Sequence, residues 1–207
     1  MTLHLTGDTA ADSLLSDDPF ALLVGMLLDQ QIPMETAFAG PAKIRDRLGT
    51  LDPAVVARYD PTEFVEVFKQ TPAVHRFPGS MAGRVQTLAA VVAEDWHGDA
   101  AAIWSAQADD GTDSDGTASD GTAPDGAEVL RRLKALPGFG EQKAKIFLAL
   151  LGKRLGVEAA GWREASAPYG EEGSRRSVAD IVDPESLAKV RESKRAAKAA
   201  AKESATK

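Results

Sequence analysis

Leu136-Pro137-Gly138-Phe139-Gly140-Glu141-Gln142-Lys143-Ala144 joins two apolar runs. Val129, Leu130 and Leu133 lead into it at helical spacing, and Ala144, Phe147, Leu148 and Leu151 leave it at the same spacing. Pro137 has no N–H and disfavours helical geometry at Leu136, so the first helix must end there. Gly138 and Gly140 admit positive φ and leave room for a foreign backbone to come close. The spacing therefore predicts a tight helical hairpin. The N–H groups that open its second helix have no partners within the helix, and the helix dipole adds partial positive charge. Such an end suits a phosphate.

The charge around the hairpin points the same way. From Leu130 to Gly156, Arg131, Arg132, Lys134, Lys143, Lys145, Lys153 and Arg154 stand against a single acid, Glu141. The chain as a whole carries −7 over 207 residues. Six of its aspartates (109, 110, 113, 115, 120 and 125) lie between 109 and 125, a stretch with no base. Without that stretch the charge is close to balanced, so the sum does not exclude a nucleic-acid partner.

The stretch resembles the helix-hairpin-helix motif, in which Leu-Pro-Gly-apolar-Gly is followed by a helix carrying Ala144. A second resemblance lies upstream. Asp18-Pro19-Phe20, then Leu23, Val24, Leu27 and Leu28, and finally Gln30-Gln31 look like the early helix of the helix-hairpin-helix (HhH-GPD) base-excision DNA repair glycosylase superfamily. The resemblance covers roughly Asp18 to Gly156. It implies an all-α fold of two helical lobes around a cleft, and duplex DNA as partner. Gly138, Phe139, Gly140, Gln142 and Lys145 are then the expected DNA contacts at the hairpin. Gln31 is the residue expected to wedge into the gap left by an extruded base, and Arg84 is expected to orient the strand. Read locally, the two glutamines are equally a pair of capping amides, and Arg84 a solvated residue in a first helical turn.

In the bifunctional members of that superfamily a nucleophilic lysine sits early in the second hairpin helix, where this chain has Lys143. Nucleophilic attack needs an amine of lowered pKa, whereas phosphate contact would keep it protonated. The chain departs from the family at the catalytic aspartate, whose register falls at Ala160-Gly161-Trp162. Glu158 is the expected stand-in, with Glu164 and Asp180 further candidates. Two functions follow as expectations: a DNA glycosylase-like repair protein releasing a damaged or mismatched base, or a non-catalytic DNA-binding protein on the same scaffold. An all-α interaction protein without a DNA role is a third, which a missing basic face around Gly138 would favour.

The chain has no cysteine, which removes disulfides, thiolate zinc and the cysteine-held iron–sulfur cluster of some superfamily members. His4, His75 and His97 are scattered and do not form a metal set, so neither metal nor cofactor is expected. Phe20 to Leu28 is apolar but short and bracketed by Asp18 and Asp29. A cytoplasmic, nucleoid-associated monomer without membrane contact is expected.

Periodicity divides the chain into an N-terminal arm (1–16), a helical domain (17–192) and a basic Lys/Ala-rich tail (193–207). Helices are predicted from Asp18 to Leu28, Met34 to Leu48, Pro53 to Tyr59, Pro61 to Lys69 and Met81 to Trp96, with a short one between Ser177 and Val190. Asp52 and Asp60 read as caps, and Gly79-Ser80 as the start of the Met81 helix. Residues 108–126, with three Asp-Gly-Thr triplets, have almost nothing to bury and are expected to form a disordered acidic insert.

Overall fold

A computed structural model describes residues 3–105 and 123–204, and every regular element among them is helical. The first is α1 (Thr9–Asp17), followed by α2 (Pro19–Leu28), α3 (Met34–Phe38) and α4 (Gly40–Leu48). Then come α5 (Pro53–Arg58), α6 (Pro61–Lys69), α7 (Pro78–Asp95) and α8 (Ala102–Ser105). The hairpin is α9 (Gly126–Ala135) and α10 (Glu141–Arg154). A short α11 (Trp162–Ala165), a 3-10 turn at Val178–Asp180 and a long α12 (Pro184–Ser204) complete the chain. No described helix is long and apolar enough to cross a membrane.

Helix α2 is the axis of the core. Every residue from Phe20 to Leu28 is buried, as a helix apolar on all sides must be. Asp18 caps it by accepting from the Phe20 and Ala21 N–H groups, and Pro19 occupies its first turn. Helices α1, α3, α4 and α7 pack against it, α5 and α6 pack on α7, and α10 packs against α9, α11 and the 3-10 turn.

Five boundaries differ from those the sequence suggests. Residues 3–16 are not an arm: Leu3, Leu5, Leu14 and Leu15 are buried. Asp12, also buried, accepts from the Leu5 N–H at 3.0 Å and from the Thr6 N–H and hydroxyl at 2.9 Å each. The predicted helix from Met34 to Leu48 breaks at Ala39, because Pro41 supplies no N–H in the first turn of α4. Helix α7 begins at Pro78, with Phe77 rather than Gly79-Ser80 at its cap and no side-chain capping bond. Pro78 presets the φ of that first turn and brings no N–H that would need a partner. Helix α12 runs unbroken through the expected boundary at 193.

The fifth boundary is the acidic insert, of which residues 108–122 lie outside the described residues. Its last three residues belong to the packed structure instead. Pro124 is buried, the Asp125 side chain caps α9 through the Glu128 N–H, and Gly126 opens the helix. The Gly126 N–H donates to the Ala160 carbonyl at 2.6 Å. A Cβ on Gly126 would lie 2.4 Å from Trp162 Cα, and one on Gly152 would lie 2.5 Å from the Trp162 ring. Trp162 thus seals the open end of the hairpin, the end remote from its turn.

Candidate nucleic-acid interface

Leu27, in the last turn of α2, is where the hairpin turn meets the core. Gly138 sits over its side chain so closely that a Cβ would fall 2.4 Å from Leu27 Cδ1, and its φ of +81° already favours glycine. The Leu27 carbonyl accepts twice, from Lys143 Nζ at 2.9 Å and from Gln30 Nε2 at 2.8 Å. The hairpin turn and the end of α2 are thereby fixed against each other across more than a hundred residues of sequence. The C-terminal carbonyls of α2 are partially negative, which suits a cation there.

The two glutamines have different situations. Gln30 is the capping amide, through the Leu27 bond, and its Oε1 accepts from Arg84 Nη1 at 3.1 Å. Gln31 is exposed and stands at φ +58°. A left-handed non-glycine residue is disfavoured by about 1 kcal/mol or more, and persists only where its surroundings hold it. His75, buried, supplies that hold. The Phe77 N–H donates to His75 Nδ1 at 3.1 Å, so Nε2 carries the proton and donates to the Gln30 carbonyl, also at 3.1 Å. Burial pushes the His75 pKa down, against the raising effect of its backbone bonds, and Arg76 and Lys143 lower it further. The neutral ring is the form that can make both bonds.

His75 also presents its neighbours. Phe77 is 41% exposed, unusual for a residue at the edge of this core, and the Arg76 guanidinium lies 4.7 Å from its ring centroid. Sequence reading weighed His75 only as a metal ligand and gave Arg76 and Phe77 no role, because 71–78 reads as a connector. The one signal available was a large aromatic directly before a proline at a helix start.

The hairpin residues divide as well. Glu141, Gln142 and Lys143 open α10 with no side-chain cap at Gly140. Gly140 is exposed, has φ −67° and ψ 166°, and would meet nothing within 4 Å if it carried a Cβ. Positive φ is therefore needed at Gly138 alone, and the space over Gly140 is open. Phe139 is not a surface contact. It is 3% exposed, stacks edge-on against Phe147 at 5.8 Å, and its N–H donates to the Leu136 carbonyl. Its place in the motif serves the core, since an apolar anchor must hold the turn down. Gln142, exposed, donates from Nε2 to the hydroxyl of half-buried Tyr169 at 2.9 Å.

The run of cations is largely neutralised within the chain. Glu128, just outside the counted stretch, binds Arg131 at 2.6 Å and Arg132 at 2.7 Å, and Arg132 is buried with its guanidinium over Trp96. Those bonds, that to Arg131 first, hold the Glu128 carboxyl below the usual range. Lys153 pairs with buried Asp180 at 2.7 Å. Lys145 reaches Glu141 at 3.0 Å and Lys134 reaches it at 3.8 Å. Around the turn there remain Lys134, Lys143, Lys145, Arg76 and Arg84 as cations, with Glu141 and Asp29 as acids, a modest basic face.

Lys143 is the most perturbed group of this region. Burial lowers its pKa from 10.5 to about 8, the charge of Asp29 pulls it back up, and Arg84 lowers it further. The acid facing Lys143 is Asp29, at the C-cap of α2, with its N–H bound to the Gly25 and Met26 carbonyls. Glu158 is elsewhere. It is exposed, two residues from Ala160, which is tied to the first residue of α9. At 1.5 Å per residue, the ten residues of α9 put that end roughly 15 Å from the turn. Glu164, in α11, belongs to the same end, and Asp180 is bound to Lys153 in the last turn of α10. None of the three downstream candidates is brought to Lys143.

Comparisons of the chain with protein-family models, with curated proteins and with solved structures find no match.

Proposed function

We propose that this chain is a helix-hairpin-helix DNA-binding protein of the base-excision glycosylase type, with two helical lobes meeting at Leu27. It holds duplex DNA by its backbone and probes the stack for an extruded base. The observation that carries this reading is the pairing of two features through Leu27: the uncapped start of α10 under open space at Gly140, and a strained, exposed Gln31 beside it. The first suits a phosphate and the second an inserted side chain. Phe77, joined through His75 to the Gln30 carbonyl, offers a face on which an unstacked base can rest. The amine of Lys143, with its lowered pKa, supports chemistry at C1′ by a Schiff base.

The remote position of Glu158 and the non-acidic Ala160-Gly161-Trp162 favour a second reading, a DNA-binding protein without glycosylase activity.

Gly140→Asp tests the DNA reading without disturbing the fold. Aspartate is a good N-cap, the backbone there is extended, and a Cβ has room. The variant is expected to melt no lower than the wild type. It places a carboxylate where a phosphate would sit, so its affinity for a fluorescent duplex should fall at least about tenfold, or ~1.4 kcal/mol. Wild-type affinity should fall with salt and vary little with sequence. Equal, salt-insensitive binding by both proteins would remove the hairpin from DNA recognition.

A further inference from the structure

Beside Asp29 lies a cavity of about 290 Å³ between the α2–α3 turn and α12. Its walls come from Ile32, Pro33, Met34, Leu187 and Val190, with Asp29, Glu35, Arg191 and Arg195 as the charged residues of the lining. An ion pair between Glu35 of α3 and Arg191 of α12 closes one edge. Asp29 belongs both to this cavity and to the surroundings of Lys143. Gln31, two residues on, is exposed.

We infer that Asp29 is the catalytic carboxylate of this site, acting on a nucleotide turned out of the duplex into the cavity beside it. The inference rests on the DNA-binding reading above and supplies what the stretch after the hairpin lacks. When the C1′–N bond breaks, its electron pair leaves with the base and positive charge develops at C1′ and the ring oxygen. A carboxylate whose position is set before the charge appears stabilises it better than water, which must reorient to do so. Water then forms the new C1′–O bond. Asp29 takes the proton that water loses, and the departing base is protonated from solvent, so the step needs no reactant beyond water. The backbone of Asp29 is held by two bonds to α2, which keeps the group in place before the nucleotide arrives.

The test uses the full chain and four duplexes, each carrying one uracil, hypoxanthine, 8-oxoguanine or 3-methyladenine. Base release is measured with enzyme in excess, and binding is measured on a duplex with a tetrahydrofuran abasic analogue. Asp29→Asn is expected to slow release roughly 100-fold, with binding to the analogue within about threefold of wild type and a cooperative melting transition. Glu158→Gln should be active. Leu187→Trp, which fills the cavity from α12 without altering Asp29, should also suppress release and covers the case in which Asp29→Asn does not fold. Full activity in Asp29→Asn or in Leu187→Trp, or loss of activity in Glu158→Gln alone, would overturn the assignment. Failure of the wild type to release any of the four bases while binding the analogue overturns it too and leaves the DNA-binding reading intact. Failure to bind the analogue overturns both.

Discussion

Replacing Lys143 by methionine measures how strongly its site resists a charge. The folded pKa of about 8 lies below the ordinary 10.5, so the folded state disfavours the ammonium wherever the unfolded chain is protonated. The difference of 2.5 corresponds to about 3 kcal/mol at pH 7, an upper figure for a partly accessible group. Lys143→Met removes that penalty and gives up the bond to the Leu27 carbonyl, which retains Gln30 as a partner. A net gain of roughly 1–3 kcal/mol at pH 7 is expected from urea unfolding. The sign with pH follows from proton counts. Between the two pKa values the unfolded chain binds more protons, so wild-type stability rises from pH 8 toward 10.5. The advantage of the variant should therefore shrink by about 2.5 kcal/mol between pH 7 and pH 10. The same shift leaves about 10% of Lys143 neutral at pH 7, against about 0.03% for an ordinary lysine. Competitive acetylation should accordingly show Lys143 titrating near 8. A variant less stable than wild type at pH 7, with a difference that does not change with pH, would refute the argument.

Gly138→Ala should lower stability by about 2 kcal/mol or more, since it combines a left-handed φ with a clash on Leu27; a melting midpoint within a degree of wild type would contradict the packing described. Acid should weaken the protein through His75. Its folded pKa is lowered, so the neutral ring contributes stability that is present above the unfolded value near 6.5 and is lost as pH falls through the folded one. Unfolding of His75→Gln should show a shallower loss over that range, and parallel profiles for the two proteins would count against the two-bond role. Phe77→Ala should lower the melting midpoint only modestly, because the residue is 41% exposed, while weakening binding to a duplex with an abasic analogue several-fold. Equal affinity would exclude Phe77 from the interface.

Punctuation made the fold legible. Asp18-Pro19, Asp52-Pro53 and Asp60-Pro61 each place a capping carboxylate before a first-turn proline, and each starts a helix in the structure. Pro137 stops α9 at Leu136 for the reason anticipated. The boundary errors came from segments whose burial depends on distant partners. Leu3 and Leu5 have no local periodicity, and only the buried Asp12 shows why they pack. Of the candidate site, the resemblance singled out Lys143 and Gln31, but a charge count along the chain could not see that Glu128 and Asp180 take up three of the seven cations. Nor could linear distance reveal that the acid nearest Lys143 lies more than a hundred residues upstream, because that contact exists only once α10 docks on the end of α2.

Trp162 binds two glycines that are far apart in sequence into one mutational unit. Its backbone excludes any side chain at Gly126 and its ring excludes any at Gly152. Tested singly, each of the three positions will read as intolerant. The two glycines, however, do not have equal claims on Trp162. A smaller residue at 162 relieves Gly152, whose conflict is with the ring, and does nothing for Gly126, whose conflict is with the main chain. Strong coupling is therefore expected between 152 and 162, with simple additivity between 126 and 162. In a lineage that replaced the tryptophan, position 152 would become free to vary while position 126 stayed glycine.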